Sequence, residues 1–134
     1  MEKIHIIIAD DHQLFRNGLK ILLNSFPDFE VSGEASNGEE FVNILKTTKA
    51  EIALMDINMP EMDGIEATRR GLKINPEINI IALSMYGEEE YYYKMIDAGA
   101  KGFLLKDSNI NEVREAILTV IRGGSYFSQE LLYN

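Results

Sequence analysis

The sequence predicts an α/β domain in which helices cover both faces of a parallel sheet. Short apolar runs recur along its 134 residues, and each is followed by a segment with helical periodicity. Strands of a parallel sheet are buried on both faces, so they are apolar nearly throughout. Five such strand–helix units follow one another, which is typical of a doubly wound sheet.

The first two strands are predicted from different patterns. Residues 4–9 form an apolar run that contains one histidine, and leucines at helical spacing follow it. Residues 29–35 alternate between polar side chains and apolar or small ones, which indicates a half-exposed edge strand. Asn37-Gly38 then predicts a turn, and apolar residues at helical spacing predict a second helix within 39–46.

The third unit combines an apolar strand at 52–55 with a helix over about 65–74. Asn75-Pro76 ends this helix, because the residue before a proline is biased away from the helical conformation. The next predicted elements are a strand at 78–83, a helix at 88–98 capped by Gly99, and a strand at 102–105.

The last helix is predicted from its N-terminal signal and its apolar stripe. Asn109-x-x-Glu112 resembles a capping box, and apolar residues at helical spacing follow it. The segment Gly123-Gly124-Ser125 breaks this helix. One domain is therefore expected over 1–123, and 124–134 is expected to start a linker or a further helix.

Composition restricts the class of protein. The chain has no cysteine, which excludes a disulfide framework and a thiolate metal site. No apolar stretch approaches the roughly 20 residues of a membrane span. A strand starts too near Met1 for a signal peptide, so a cytoplasmic protein is predicted. The net charge of −9 argues against DNA binding by this chain alone, since phosphate contacts need a basic surface.

Charged side chains stand where the predicted strands end. Asp10 and Asp11 follow the first strand, Asp56 follows the third, and Lys106 follows the fifth. The carboxyl ends of parallel strands form the ligand crevice of an open sheet, so these groups are expected to meet there. Crowded carboxylates repel by roughly 4 kcal/mol per pair at about 4 Å and an effective dielectric constant near 20. Such a cluster is expected where a divalent cation or a reaction requires it.

These acids and the lysine resemble the receiver domain of bacterial response regulators over residues 3 to about 123. Residues 98–107, and Asp10-Asp11-His12 with the helix that follows, resemble the NarL/FixJ subfamily, whose members carry a LuxR-type helix-turn-helix output domain. The resemblance implies a (βα)5 flavodoxin-like sheet with strand order 2-1-3-4-5. The residues that match the family in order and spacing are Asp10, Asp11, Asp56, Asn58, Met59, Pro60, Asp63, Gly64, Ser84 and Lys106.

The resemblance implies a role for each charged residue. Asp56 would accept a phosphoryl group from a sensor histidine kinase. Asp11, Asp56 and the backbone carbonyl of Asn58 would hold Mg²⁺ or Mn²⁺, a hard ion that takes oxygen ligands. Asp10 would act through a metal-bound water, and Lys106 would pair with a phosphoryl oxygen.

Two further residues would form the switch of that family. Ser84 would donate its hydroxyl to the phosphoryl group, and the ring of Phe103 would follow Ser84 inward. The chain departs from the commonest pattern at both positions, because Ser84 stands where threonine is frequent and Phe103 where tyrosine is common. Both departures leave this mechanism possible, and both bear on the energy gap between the inactive and active states.

The resemblance also implies partners. These are a sensor histidine kinase and a C-terminal helix-turn-helix domain that 1–134 does not include, so that phosphorylation here would control transcription. Homodimerisation on phosphorylation is compatible with the resemblance, whereas membrane binding and direct DNA binding by this chain are not expected. The chain would not be an enzyme beyond assisting its own phosphorylation and dephosphorylation.

Three alternatives stay open. Haloacid-dehalogenase-type phosphatases share the sheet, Mg²⁺ and an aspartate nucleophile, but carry Asp-x-Asp after the first strand. Here Asp56-Ile57-Asn58 follows the third strand, and the amide of Asn58 cannot transfer a proton. A nucleotide-binding domain would need a glycine-rich phosphate loop after the first strand, where this chain has acids. A stand-alone receiver acting through protein contacts is the third alternative.

Overall fold

The computed structural model describes residues 2–85 and 89–127, and it contains one parallel sheet within that part of the chain. The strand order is β2-β1-β3-β4-β5-β6. The strands are β1 (Ile4–Ala9), β2 (Phe29–Ala35), β3 (Ile52–Asp56), β4 (Asn79–Ser84), β5 (Gly102–Leu105) and β6 (Tyr126–Phe127). The α-helices are α1 (Gln13–Asn24), α2 (Gly38–Leu45), α3 (Gly64–Ile74), α4 (Tyr92–Ala98) and α5 (Ile110–Ile121).

The predicted fold class and the order 2-1-3-4-5 are confirmed, with one strand added. Each apolar run became a strand because both faces of the sheet are covered. In β1, Ile7 packs in the core beneath α2, α3 and α4, whereas Ile6 and Ile8 pack in the core beneath α1 and α5. All three are fully buried. A strand that is buried on both faces is apolar throughout, so it lacks the alternation of polar and apolar residues seen in the edge strand β2.

The helix ends also follow from local sequence. Asn109 accepts a hydrogen bond from the backbone N–H of Glu112, which confirms the predicted cap. Gly99 ends α4 in the left-handed conformation at φ 113°, as predicted. The start of α4 differs from the prediction, because Glu89–Tyr91 form a 3₁₀ turn and the α-helix begins at Tyr92. The predicted start at residue 88 lies outside the described residues.

A short sixth strand, which the sequence did not predict, lies at the start of the tail 124–134. Residues 128–134 of the predicted linker lie outside the described residues. Tyr126 and Phe127 pair in parallel with Gly102 and Phe103 of β5. The backbone N–H of Tyr126 donates to the carbonyl of Lys101 at 2.9 Å. Two residues are too few for a periodic pattern, so only the free edge of β5 reveals this strand.

A close backbone approach at Gly64 fixes the loop after β3, and we predict a large cost for filling it. A Cβ on Gly64 would lie 2.2 Å from the carbonyl oxygen of Asp56 and 2.9 Å from the Cα of Ile57. Backbone atoms cannot rotate aside, so Gly64→Ala is expected to lower the free energy of unfolding by about 2–3 kcal/mol, the upper part of the range for overpacking.

Gly18 provides the matched control for that substitution. It lies in the exposed middle of α1, and a Cβ there meets nothing within 4 Å. Gly18→Ala is therefore expected to raise the free energy of unfolding by up to about 1 kcal/mol through helix propensity. Urea unfolding of both variants measures the difference; equal midpoints for the two would contradict the steric argument.

Candidate functional site

The carboxyl ends of four parallel strands bring the predicted site residues to one edge of the sheet. Asp10 follows β1, Asp56 ends β3, Ser84 ends β4 and Lys106 follows β5. Asp10, Asp56 and Ser84 are exposed by only 0, 2 and 0%. Burying a carboxylate or a hydroxyl costs free energy unless the group is paired or serves a function. The fold bears this cost at the edge that holds the predicted site residues.

Lys106 is the cation of the cluster. Its Nζ lies 2.8 Å from Oδ2 of Asp10 and 3.4 Å from Oδ2 of Asp56. The ammonium also lies 5.0 Å from the ring centroid of Phe15, so an aromatic face covers it. The backbone N–H of Lys106 donates to the carbonyl of Ser84 at 2.7 Å. This hydrogen bond between adjacent strands fixes the position of the Lys106 backbone, from which the side chain extends.

Asp10 is held from both of its oxygens. Oδ2 faces Lys106, while Oδ1 accepts the backbone N–H of His12 at 2.8 Å and lies 3.1 Å from the ring Nδ1 of the same histidine. Arg16 also donates to the backbone carbonyl of Asp10, and its Nε pairs with Glu34 at 3.0 Å. The first acid of the pair is therefore fixed in place by its neighbours.

Asp56 is less well compensated than Asp10. The pKa of its carboxyl is raised from 3.8 to about 7; burial is the largest cause, the negative charge of Asp10 adds to the rise, and Lys106 offsets part of it. A carboxyl with this pKa is partly protonated near neutral pH in the absence of a further cation. The site thus holds its least stabilised negative charge at Asp56.

The cluster has the donors and the spacing for a divalent metal ion. Asp10, Asp11, His12 and Asp56 each offer one ligand atom, and these atoms lie within 4.8 Å of one another. Carboxylate oxygens are the ligands of Mg²⁺ and Mn²⁺ in proteins, so the three acids fit such an ion. Asn58 lies exposed, two residues after Asp56, and its carbonyl stays a predicted ligand.

A hydroxyl and an aromatic ring complete the predicted set. Ser84 Oγ is buried and has no hydrogen-bond partner among the described residues. Phe103 is fully buried and meets the ring of Tyr92 edge to face, with centroids 5.1 Å apart. Tyr92 in turn contacts the ring of Phe127 at 5.6 Å, so an aromatic chain connects β5 with β6.

His12 is the residue of the site to which the sequence gave no role. Its ring lines a cavity of about 590 Å³ beside the cluster, together with Ser84 and Lys106. The signal in the sequence was its position directly after the two acids. A single histidine at that position has many structural explanations, so the pattern did not single it out.

The fold and the cluster define an α/β domain with a carboxylate site at the carboxyl edge of its sheet. The chain belongs to the response regulator receiver domain family, whose sequence model matches residues 6–118. It is the receiver domain of a two-component response regulator, and its homologues include transcriptional regulators. No described helix is long and apolar enough to cross a membrane.

Two curated relatives illustrate this membership. The transcriptional regulatory protein DegU of Brevibacillus brevis is 39% identical over 132 residues, which are 98% of this chain and 56% of that protein. The response regulator GacA of Pseudomonas protegens is 34% identical over 128 residues, covering 96% of this chain and 60% of that protein. The chain therefore spans less than two thirds of these relatives.

Solved structures agree with the fold. A LuxR-family two-component response regulator from Aurantimonas sp. SI85-9A1 superposes with a TM-score of 0.91 at 28% identity, over 98% of this chain and 94% of that one. The signal receiver domain of the putative response regulator NarL from Mycobacterium tuberculosis gives 0.83 at 32% identity, over 92 and 99%. The predicted similarity to the NarL and LuxR regulators is confirmed.

Proposed function

We propose that Asp56 is the phosphoacceptor of this receiver and that a sensor histidine kinase is the donor. The observation that carries the proposal is a nearly fully buried carboxylate that faces one ammonium, Lys106, in a cluster of acids. A nucleophilic aspartate must be oriented and partly desolvated, and its product needs a nearby cation. Asp56 meets these requirements, whereas Asp10 is already held by Lys106 and His12.

The transfer follows from the chemistry of these groups. A carboxylate oxygen of Asp56 bonds to phosphorus while the P–N bond of the donor phosphohistidine breaks, and the electron pair returns to that imidazole. Lys106 moves from the acids to a phosphoryl oxygen. Ser84 Oγ donates its hydrogen to another phosphoryl oxygen.

Asp11, Asp56 and the carbonyl of Asn58 would hold Mg²⁺ or Mn²⁺, with Asp10 acting through water. The ion would supply positive charge that offsets the acids and the phosphoryl oxygens. Asp10 and Asp56 keep that position available by placing their carboxylates at the ends of adjacent strands.

The phosphoryl group acts as a signal, not as the intermediate of a turnover reaction. Residues 1–123 form the receiver, and 124–134 lead toward a C-terminal DNA-binding domain that the relatives' role in transcription supports. With a net charge of −9, residues 1–134 do not bind DNA by themselves. The full protein is cytoplasmic, and a homodimer formed on phosphorylation is compatible with this scheme.

A phosphorylation assay tests the proposed function. The chain is incubated with Mg²⁺ and acetyl phosphate, and its intact mass is measured. One phosphoryl group per chain, labile to hydroxylamine, is expected. Sustained release of phosphate from a phosphomonoester over many turnovers would instead support the phosphatase alternative.

Ser84 is expected to couple phosphorylation to the aromatic residues of β5 and α4. Ser84→Ala should still accept the phosphoryl group, because Lys106 and the metal carry most of the charge compensation. It should lose the chemical-shift changes that phosphorylation causes around Phe103 and Tyr92, since the hydroxyl that would bind the phosphoryl oxygen is gone.

Ser84→Thr is the matched control, because it retains the hydroxyl. Amide NMR spectra of the phosphorylated and unphosphorylated forms of both variants measure the response. A response in Ser84→Ala equal to that of the wild type would rule out this coupling.

A further inference from the structure

We propose that phosphorylation of this receiver releases β6 from the edge of β5, so that the response reaches the segment that follows the domain. The inference rests on the proposed function, because it needs a phosphoryl group on Asp56 and the hydroxyl of Ser84. It goes beyond that function because it names the element of the fold that moves. β6 follows α5 directly along the chain, so its release changes how any segment after it is held.

β6 is attached to the domain by few interactions. It consists of Tyr126 and Phe127, and both side chains are only half-buried. The backbone N–H of Tyr126 donates to the carbonyl of Lys101 at 2.9 Å, and its hydroxyl donates to Oε2 of Glu112 at 3.2 Å. A two-residue edge strand opens at a much lower free energy than a central strand. A small change in packing is therefore sufficient to shift its equilibrium.

Two glycines connect β6 to the last helix. Gly123 has φ 95°, in the left-handed region, and the chain turns there so that β6 runs parallel to β5. A Cβ on Gly124 would lie 3.1 Å from Cγ2 of Thr119. Glycine changes its backbone angles at little steric cost. This connection therefore allows β6 to leave the sheet while α5 stays in place.

Three aromatic rings join β6 to the core beneath α4. Phe103 and Phe127 are paired residues of adjacent parallel strands, so their side chains lie on the same face of the sheet. Both rings contact the ring of Tyr92, with centroids 5.1 and 5.6 Å away. Phe103 is fully buried and Tyr92 nearly so. In packing this close, a shift of one ring changes the contacts of the other two.

The phosphorylation site reaches this cluster through Ser84. Ala82 of β4 pairs with Phe103, so Ser84, two residues further along, lies on the same face of the sheet. Its buried Oγ has no hydrogen-bond partner among the described residues, and a phosphoryl oxygen on Asp56 supplies the missing acceptor. Once Ser84 turns to that oxygen, Phe103 moves into the space it leaves and away from Tyr92. The ring contacts that hold β6 then weaken.

The coupling is reciprocal, which gives a second and independent measurement. If a phosphoryl group weakens the attachment of β6, then weakening that attachment must favour the phosphoryl-bound state by the same factor. Beryllium fluoride with Mg²⁺ is the probe, because it mimics a phosphoryl group on a carboxylate and binds reversibly. Its affinity is therefore an equilibrium quantity, to which the reciprocity applies.

The first measurement is the hydrogen exchange of the Tyr126 amide in the chain 1–134, followed by NMR. This N–H is protected by its bond to the carbonyl of Lys101 while β6 is attached. It is expected to exchange about fivefold faster or more when the probe is bound. The amide of Ile4 donates to the carbonyl of Asp28 at 2.9 Å beside the opposite edge strand, β2, and should keep its rate.

The second measurement is the affinity of Phe127→Ala for the probe, from an amide NMR titration. Without the ring β6 is attached more weakly, so this variant is expected to bind the probe about fivefold more tightly or more than the wild type. Phe26→Ala is the matched control. Phe26 is also half-buried, and it contacts the ring of Phe29 in β2, with centroids 5.6 Å apart. Its replacement should leave the affinity unchanged.

Either of two results would overturn the proposal: a Tyr126 amide whose exchange does not change when the probe binds, or a Phe127→Ala affinity equal to that of the wild type. The mass assay with acetyl phosphate separates this failure from that of the proposed function. An adduct on Asp56 together with unchanged Tyr126 exchange overturns this inference alone. Absence of any adduct on Asp56 overturns the proposed function and this inference with it.

Discussion

Replacing Asp56 with asparagine is expected to abolish phosphoryl incorporation, on the order of a thousandfold or more, the scale of losing a nucleophile. An amide oxygen cannot form the acyl phosphate, and Asp10 cannot substitute because Lys106 and His12 hold both of its oxygens. The measurement is the intact mass of the chain after incubation with acetyl phosphate and Mg²⁺, followed over time.

Asp63→Asn is the matched control for this substitution. Asp63 lies in the same loop after β3 and caps α3 by accepting the backbone N–H of Glu66 at 3.0 Å. Asparagine is an equally good cap, so the fold is retained. This variant should gain the phosphoryl group at the rate of the wild type. A labile adduct of equal yield in Asp56→Asn would show that another residue is the acceptor.

Asp56→Asn is also expected to stabilise the metal-free protein at neutral pH. The pKa of Asp56 is raised from 3.8 to about 7, chiefly by burial and then by the charge of Asp10. Between these values the folded state holds a proton that the unfolded state releases, so stability falls as pH rises, by about 1.4 kcal/mol per pH unit at most. Above the folded pKa the loss is complete.

Asp56→Asn removes this loss. In the presence of chelator the variant should exceed the wild type in free energy of unfolding by roughly 2–4 kcal/mol near pH 8. The difference should fall toward zero as the pH falls to about 4, where the carboxyl is protonated in the folded protein and the pH approaches the unfolded-state pKa of 3.8. Metal should also reduce it, because an ion bound to the ionised carboxylate stabilises the folded wild type.

Asp10→Asn is the control for this second experiment. Asp10 is as buried as Asp56 but has Lys106 at 2.8 Å, so removing its charge leaves a nearly buried ammonium with less compensation. That variant is expected to lose stability. Urea unfolding from pH 4 to 8 measures all three proteins; a difference between Asp56→Asn and wild type that does not change with pH would contradict the argument.

Much of the fold was predictable because its determinants are local. The apolar run 4–9, the cap at Asn109 and the left-handed Gly99 each depend on a few adjacent residues. The meeting of Asp10, Asp56 and Lys106 was predictable for a topological reason, because the carboxyl ends of parallel strands share one edge. Residue identity and strand direction were sufficient for that part of the site.

Other features depend on distant parts of the chain and could not be read from it. The strand at 126–127 exists because β5 leaves an edge to pair with, and the rings of Phe103 and Phe127 both contact the ring of Tyr92. No periodicity in two residues encodes such a contact.

The tertiary structure also decides the different roles of the acids. The sequence by itself determined the parallel sheet and the presence of acids and a lysine at its edge, since hydrophobic pattern and strand order set both. Only the folded chain decided that Lys106 pairs at 2.8 Å with Asp10, that Asp56 is left with the raised pKa, and that the ring of His12 lies beside them. The energies of desolvation and ion pairing change when groups move by a few ångströms. Such distances are fixed only by the packing of residues that are remote in sequence.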